Sequence, residues 1–228
     1  MCGRYSLAVS DEDLIRAFEL SEPVSIDPRY NIAPTQQAPV VRRLESDARP
    51  RLEMMRWGLI PRWAKDDKIG DRMINARSET VAEKPSFKVP LRRQRCLVPA
   101  TGFYEWKAVG KTAQGKPAKQ PYHIHRGDGA LFAFAGLWDR WCDPDGETIE
   151  SYTILTTEPN KLMSTLHNRM PVILGPSDYP LWLDPLVQEP ERLIPLLAPA
   201  PEELAAHPVS KYVNSPRNDS PDCLAPMK

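Results

Sequence analysis

The sequence predicts an α+β fold: one domain over residues 1–228, with a mixed or barrel-like β-sheet core flanked by short helices. Three observations carry this. Strand-like runs rich in β-branched and aromatic residues crowd the stretch from 38 to 157. Prolines number 25, and because proline breaks helices and avoids central strands, long helices are excluded. The segments with helical signals are short and lie to either side of the strand-rich middle.

In chain order, SDEDLIRAFEL (10–20) reads as a short helix: Ser10 caps it, acidic residues fill its first turn, and Leu14 and Phe18 share a face. Residues 21–37 read as loop. APVVRRLE (38–45) and RLEMMRWGLI (51–60) read as strands of a hairpin joined by the polar SDARP. RCLVPATGFYEWKAVG alternates well enough for one or two strands, and QPYHIHR, ALFAFAGLWDRW and ESYTILTTE read as three more. Residues 107–121 read as a long basic hairpin loop. TEPNKLMSTLHNRM opens with a cap and an early proline and reads as a short helix. After MPVIL, Pro176, Pro180, Pro185, Pro190, Pro195, Pro199 and Pro201 divide the tail into short helical pieces.

Composition narrows the class. Hydrophobic content of 41% and charged content of 26% are those of an ordinary soluble globular protein. The longest apolar run, 130–138, is too short to span a bilayer, and no basic-then-apolar leader is visible, so the expectation is a cytoplasmic protein with no membrane partner. Cys2, Cys96, Cys142 and Cys223 lie far apart with no C-x-x-C spacing, which argues against a disulfide framework or a zinc-thiolate site. Net charge is zero but uneven: residues 1–120 carry 22 Lys/Arg against 15 Asp/Glu, so a basic face is available for an anionic partner.

Candidate chemistry begins at MCGRY. Removal of Met1 would leave Cys2 with an α-amine and a thiol on adjacent carbons. That amine has an ordinary pKa of about 7.7–8.0, so part of it is neutral at physiological pH. A terminal 1,2-aminothiol forms a Schiff base with an aldehyde and then closes a five-membered thiazolidine; an internal cysteine cannot, because its nitrogen is an amide. RYNIAP (29–34) and RWGLIPRW (56–63) interleave arginine with aromatic rings, which suits phosphate pairing and base stacking on single-stranded nucleic acid, although either segment alone reads first as a core tryptophan beside a solvated arginine. INARSET (74–80), if extended, sets Asn75, Arg77 and Glu79 on one side. GFYEWK places Glu105 among aromatic residues, where a carboxylate tends to a raised pKa fit for acid–base work, or else is an exposed strand glutamate. LHNRMPVIL puts His167 and Arg169 where a short helix passes into an apolar strand. YHIHR offers His123 and His125 on one strand face, but H-x-H alone, without an acidic or cysteine partner nearby, is a weak metal signal; no metal and no cofactor are expected.

Taken together, MCGRY, RYNIAPTQ, RWGLIPRWAK, INARSET, CLVPATGFYEWK, LHNRMPVIL and HPVS, in this order across nearly the whole chain, resemble the SOS-response-associated peptidase (SRAP) family. The resemblance implies the fold of that family. It also implies covalent capture of abasic sites in single-stranded DNA during the DNA-damage response, as a thiazolidine DNA–protein crosslink. In that reading Cys2 is the nucleophile, Asn75 positions its amine or the sugar, Glu105 is the acid–base group, and His167 transfers protons and serves reversal. Arg4, Arg77, Arg62 and Arg169 would meet phosphates, and Trp63 would stack beside the gap. A monomer is the default expectation, nucleoid-associated when bound to DNA. Two other readings stay open: an N-terminal-nucleophile cysteine peptidase that cleaves its own Met1–Cys2 bond or other peptides, and a non-covalent single-strand-binding module built on the Arg/Trp segments.

Overall fold

The computed structural model describes residues 2–111, 115, 117–143, 145–200 and 203–227. Met1 and most of the proposed 107–121 loop tip lie outside the described residues. Its elements are β1 (Tyr5–Leu7), α1 (Asp11–Phe18), β2 (Arg29–Ile32), β3 (Gln37–Arg42), β4 (Arg51–Trp57), β5 (Asn75–Arg77), α2 (Lys88–Arg93), β6 (Arg95–Ala100), β7 (Gly102–Lys111), β8 (Pro117–Arg126), β9 (Phe132–Cys142), β10 (Thr148–Thr157), α3 (Lys161–Ser164), β11 (Met170–Pro171), β12 (Ile173–Leu174), α4 (Tyr179–Leu183), α5 (Pro190–Leu193) and β13 (Leu204–Pro208). Short 3₁₀ turns punctuate the loops, including Asp67–Arg72 and Lys211–Asn214.

Five strands close into a mixed barrel in the order β10-β4-β3-β6-β9, with β9 pairing back onto β10. β4 and β10 run parallel; the other pairings around the ring are antiparallel. β5, β11 and β12 add to its rim. A second sheet, β13-β8-β7-β1-β2, packs on the barrel. The join is aromatic. Tyr5 and Tyr152 share a hydroxyl hydrogen bond at 2.8 Å, and Trp57 stacks on Tyr152 and meets Tyr5 edge-on at 5.2 Å. All three are fully buried, and such aromatic pairs add about 0.5–1.5 kcal/mol each beyond the area they bury.

The α+β expectation stands, as do the Ser10-capped helix, whose cap oxygen accepts from Asp13 N–H at 3.1 Å, and the β3–β4 hairpin. Three local expectations need correction. Residues 29–32 are a strand, because pairing with β1 and a carboxylate clamp from Asp219 on the N–H groups of Tyr30 and Asn31 impose extension on a sequence with no alternation. The basic loop is shorter than 107–121, since β7 runs to Lys111 and β8 starts at Pro117. The tail is not all helical: Leu204–Pro208 is an edge strand on β8, and its Pro208 stands at the strand end, where a missing N–H does least harm.

Candidate active site and nucleic-acid interface

Cys2 enters immediately before β1. The Arg4 carbonyl accepts the Tyr104 N–H at 3.0 Å, and Tyr5 and Ser6 face Phe103 and Gly102 across the antiparallel pair. Continuing that register sets the chain beside Cys2 opposite Glu105. Alternation along β7 then sorts the motif GFYEWK. Phe103 turns into the main core against Phe134, and Glu105, only 3% exposed, takes the same side. Tyr104 and Trp106 take the other side, where the Tyr104 hydroxyl donates to Tyr30 O at 2.6 Å and the Trp106 indole donates to Asn214 Oδ1 at 2.8 Å. Glu105 is thus a buried strand carboxylate.

Asn75 arrives from the barrel. β5 lies parallel to β10 with Asn75 opposite Ile154. Its Nδ2 donates to the backbone carbonyl of Cys2 at 2.7 Å, while its Oδ1, also buried, has no hydrogen-bond partner among the described residues. Burial pushes the Cys2 thiol well above its ordinary value, and the negative charge of Glu105 adds to the shift. The thiol donates weakly to the Arg4 carbonyl at 3.8 Å. Cys2, Asn75 and Glu105, far apart in sequence, therefore meet in one buried place.

His167 comes from a separate element. Asn160 caps α3 by accepting from Met163 N–H at 2.9 Å, and the helix ends as His167 N–H donates to Met163 O at 2.8 Å. Nδ1 of His167 accepts the Arg169 N–H at 3.1 Å, so in the neutral ring the proton sits on Nε2. Arg169 grips both carboxylate oxygens of Glu79 and the carbonyl of Thr156, which holds the Glu79 carboxyl below its ordinary range.

The other arginines divide by role. Arg77 is exposed on β5, two residues from Asn75. The Arg4 guanidinium donates to Asn31 Oδ1 at 2.8 Å and Val213 O at 2.9 Å and lies over the Trp106 ring, so it braces the C-terminal segment. Arg62 is held by Asp139, whose carboxylate also accepts the Arg62 backbone N–H at 3.0 Å. The two tryptophans of RWGLIPRW part company. Trp57 is core, its indole donating to Ile74 O at 2.9 Å. Trp63 is 56% exposed and lines an open cleft of about 520 Å³ with Lys65, Lys68, Ile69 and Arg72. In RYNIAP, Arg29 is spent on Asp219 and Gln36, and Asn31 is fully buried, donating to the carbonyls of Val213, Ser215 and Asn218. Asp219 and this carbonyl cradle went unread in the sequence, since nothing local in that tail marks a partner some 190 residues away.

Known proteins resemble the chain over its full length. It is 43% identical to the abasic site processing protein YoqW of Bacillus subtilis, covering 98% of this chain and 99% of the relative. It is 35% identical to the abasic site processing protein HMCES of Mus musculus, covering 99% of this chain and 76% of that protein. A crystal structure from Bacteroides thetaiotaomicron superimposes with a TM-score of 0.84 at 28% identity over all of both chains, and one of a phage-related protein from Bordetella bronchiseptica with 0.73 at 32%, covering 91% and 94%. The family pattern for SOS response associated peptidases matches residues 1–216, and the chain belongs to that family, SRAP.

Proposed function

We propose that this protein processes abasic sites in DNA, and that it does so by covalent capture of the ring-opened sugar in single-stranded DNA. The names of its relatives supply the substrate class. The observation that carries the chemistry is the contact between Asn75 Nδ2 and the Cys2 carbonyl, with Glu105 buried beside the same cysteine.

Once Met1 is gone, the neutral amine of Cys2 adds to the sugar aldehyde and a molecule of water leaves, giving an imine. The Cys2 sulfur then attacks the imine carbon, and the thiol proton ends on the ring nitrogen. The net change is one C–N bond and one C–S bond formed and one water lost. Each stage moves a proton, and Glu105, buried beside Cys2, is the acid–base group of this reading. In the chain that retains Met1, burial favours the protonated Cys2 thiol, so attack on the imine calls for a base to take that proton, the part this reading gives to Glu105. Asn75 fixes the Cys2 backbone so that amine and thiol keep one orientation. His167, with its proton on Nε2, serves proton transfer and reversal from the side of α3. Arg77 and the Trp63 cleft bind the strand by phosphate contact and stacking, while Arg4, Arg62 and Arg169 steady the loops that carry the site.

Release of Met1 by the chain itself has less support. The carbonyl that Asn75 polarises belongs to Cys2, one peptide beyond the Met1–Cys2 bond. Asn75 is therefore not an oxyanion donor for that cleavage, and Glu105→Gln protein should still lose Met1 in a host with a methionine aminopeptidase, as intact mass would report. The direct test of capture mixes processed protein with a single-stranded oligonucleotide bearing one abasic site. A species stable to denaturant is expected, and Cys2→Ala that crosslinks as well as wild type overturns the reading.

A further inference from the structure

Three imidazoles meet on the outer face of the second sheet, away from the proposed DNA chemistry. His123 and His125 project from β8 on the side opposite Ile124, which is core. His207 stands on β13 directly across from His123 in the strand register. Their ring centroids are 5.3–5.4 Å apart pairwise, and a ligating atom from each ring lies within 4.8 Å of the others.

The hydrogen bonds show which nitrogen of each ring remains available. His125 Nδ1 bonds the Arg126 carbonyl at 2.7 Å, and His207 Nε2 bonds the Leu224 carbonyl at 2.8 Å. A carbonyl only accepts, so each of these nitrogens carries the ring proton. That leaves lone pairs on His125 Nε2 and His207 Nδ1. His123 turns Nε2 toward Ser6 Oγ at 3.3 Å, and its Nδ1 is buried without a hydrogen-bond partner among the described residues. His123 is only 5% exposed, so an orphaned ring nitrogen there is costly as it stands. A hydrogen bond from the far ring nitrogen to a carbonyl is also what orients metal-ligating histidines. Gly102 makes room for the arrangement: a Cβ there would come within 2.1 Å of His123 Nε2.

We propose that His123, His125 and His207 form a binding site for one divalent late transition metal, zinc above all, with a fourth position open to water. Three neutral imidazoles are the donor set such ions favour over calcium or magnesium. Bonds of about 2.1 Å in a tetrahedron set nitrogens roughly 3.4 Å apart, so small side-chain rotations close the present spacing. The site would tie β13 to β8. β13 leads into the segment whose carbonyls and Asp219 hold Arg4, Asn31 and Arg29, so the ion would fasten the C-terminal end of the chain to the sheet that carries Glu105.

The test uses the untagged full chain and cobalt(II) as the probe. One equivalent should bind with the intense visible d–d absorption of a tetrahedral ion, and zinc should displace it. Zinc at a hundredfold excess over its Kd should raise the Tm by roughly 5 °C. His125→Ala and His207→Ala should each weaken cobalt binding at least tenfold while leaving abasic-DNA crosslinking intact; His125→Gln and His207→Gln serve if the alanine variants fold poorly. The inference is overturned if no tetrahedral spectrum forms, if it carries the sulfur-to-cobalt charge transfer of a cysteine site, or if all the histidine variants bind as wild type.

Discussion

The side-chain amide of Asn75 donates to the backbone carbonyl of Cys2 at 2.7 Å, joining the segment that leads into β1 to a rim strand of the barrel. The bond spans 73 residues of sequence and orients the backbone of the residue on whose amine and thiol the proposed reaction depends. Asn75→Ala should therefore slow crosslinking about tenfold, through lost orientation, while shifting stability by only about 1 kcal/mol. Denaturing-gel time courses set against urea unfolding would separate the two effects; a variant that crosslinks at the wild-type rate removes Asn75 from the mechanism.

Glu105 is buried on the same face as Phe103, and proton transfer is needed at both imine formation and ring closure. Glu105→Gln keeps the shape and removes the exchangeable charge. Its crosslinking rate should fall by about 10²–10⁴ with Cys2 chemically intact, as general acid–base roles ordinarily cost. Near-normal rates would transfer that role to another group.

Of the four thiols, Cys142 alone is exposed, and Cys2, Cys96 and Cys223 are buried. In the chain that retains Met1, a neutral thiol reagent should label Cys142 rapidly and the other three only after denaturant is added. Peptide mass mapping reads this directly. Fast labelling of Cys2 in the unprocessed chain would contradict its burial.

Stability should fall on the alkaline side. Burial raises the pKa of the Cys2 and Cys96 thiols above the ordinary 9.0, and of the Tyr5 and Tyr152 phenols above the ordinary 10.0. These groups keep their protons in the folded protein while the unfolded chain begins to lose its own. Their contribution is thus complete below about pH 9 and declines as pH climbs from there toward the folded values. Tm measured from pH 7 to 11 should hold level and then drop; a Tm that rises above pH 9 would reverse the sign.

Arg169 and Arg77 should separate stability from DNA binding. Arg169 is mostly buried against Glu79 and Thr156 O, so Arg169→Ala should cost about 1–3 kcal/mol in urea unfolding. Arg77→Ala, on an exposed position, should leave unfolding unchanged, weaken single-strand affinity and flatten its salt dependence.

The sequence by itself determined the class of fold and the main barrel strands, and it pointed to Cys2 as a latent aminothiol. Alternation in GFYEWK, the continuous apolar run ALFAFAGLW and the cap at Ser10 are local signals, and local signals survive translation into structure. Which of two tryptophans in one motif is core and which is exposed was not legible, because Trp57 and Trp63 carry the same propensities and differ only in what the barrel lays over them. The strand at 29–32 and the Asp219 clamp were equally invisible, since a carboxylate at the far end of the chain supplies what the local pattern lacks. Tertiary structure alone decided that Asn75 would touch Cys2 and that His207 would face His123. Those pairings are set by strand register between segments distant in sequence, and register is fixed by which faces the shared core buries, not by any spacing along the chain.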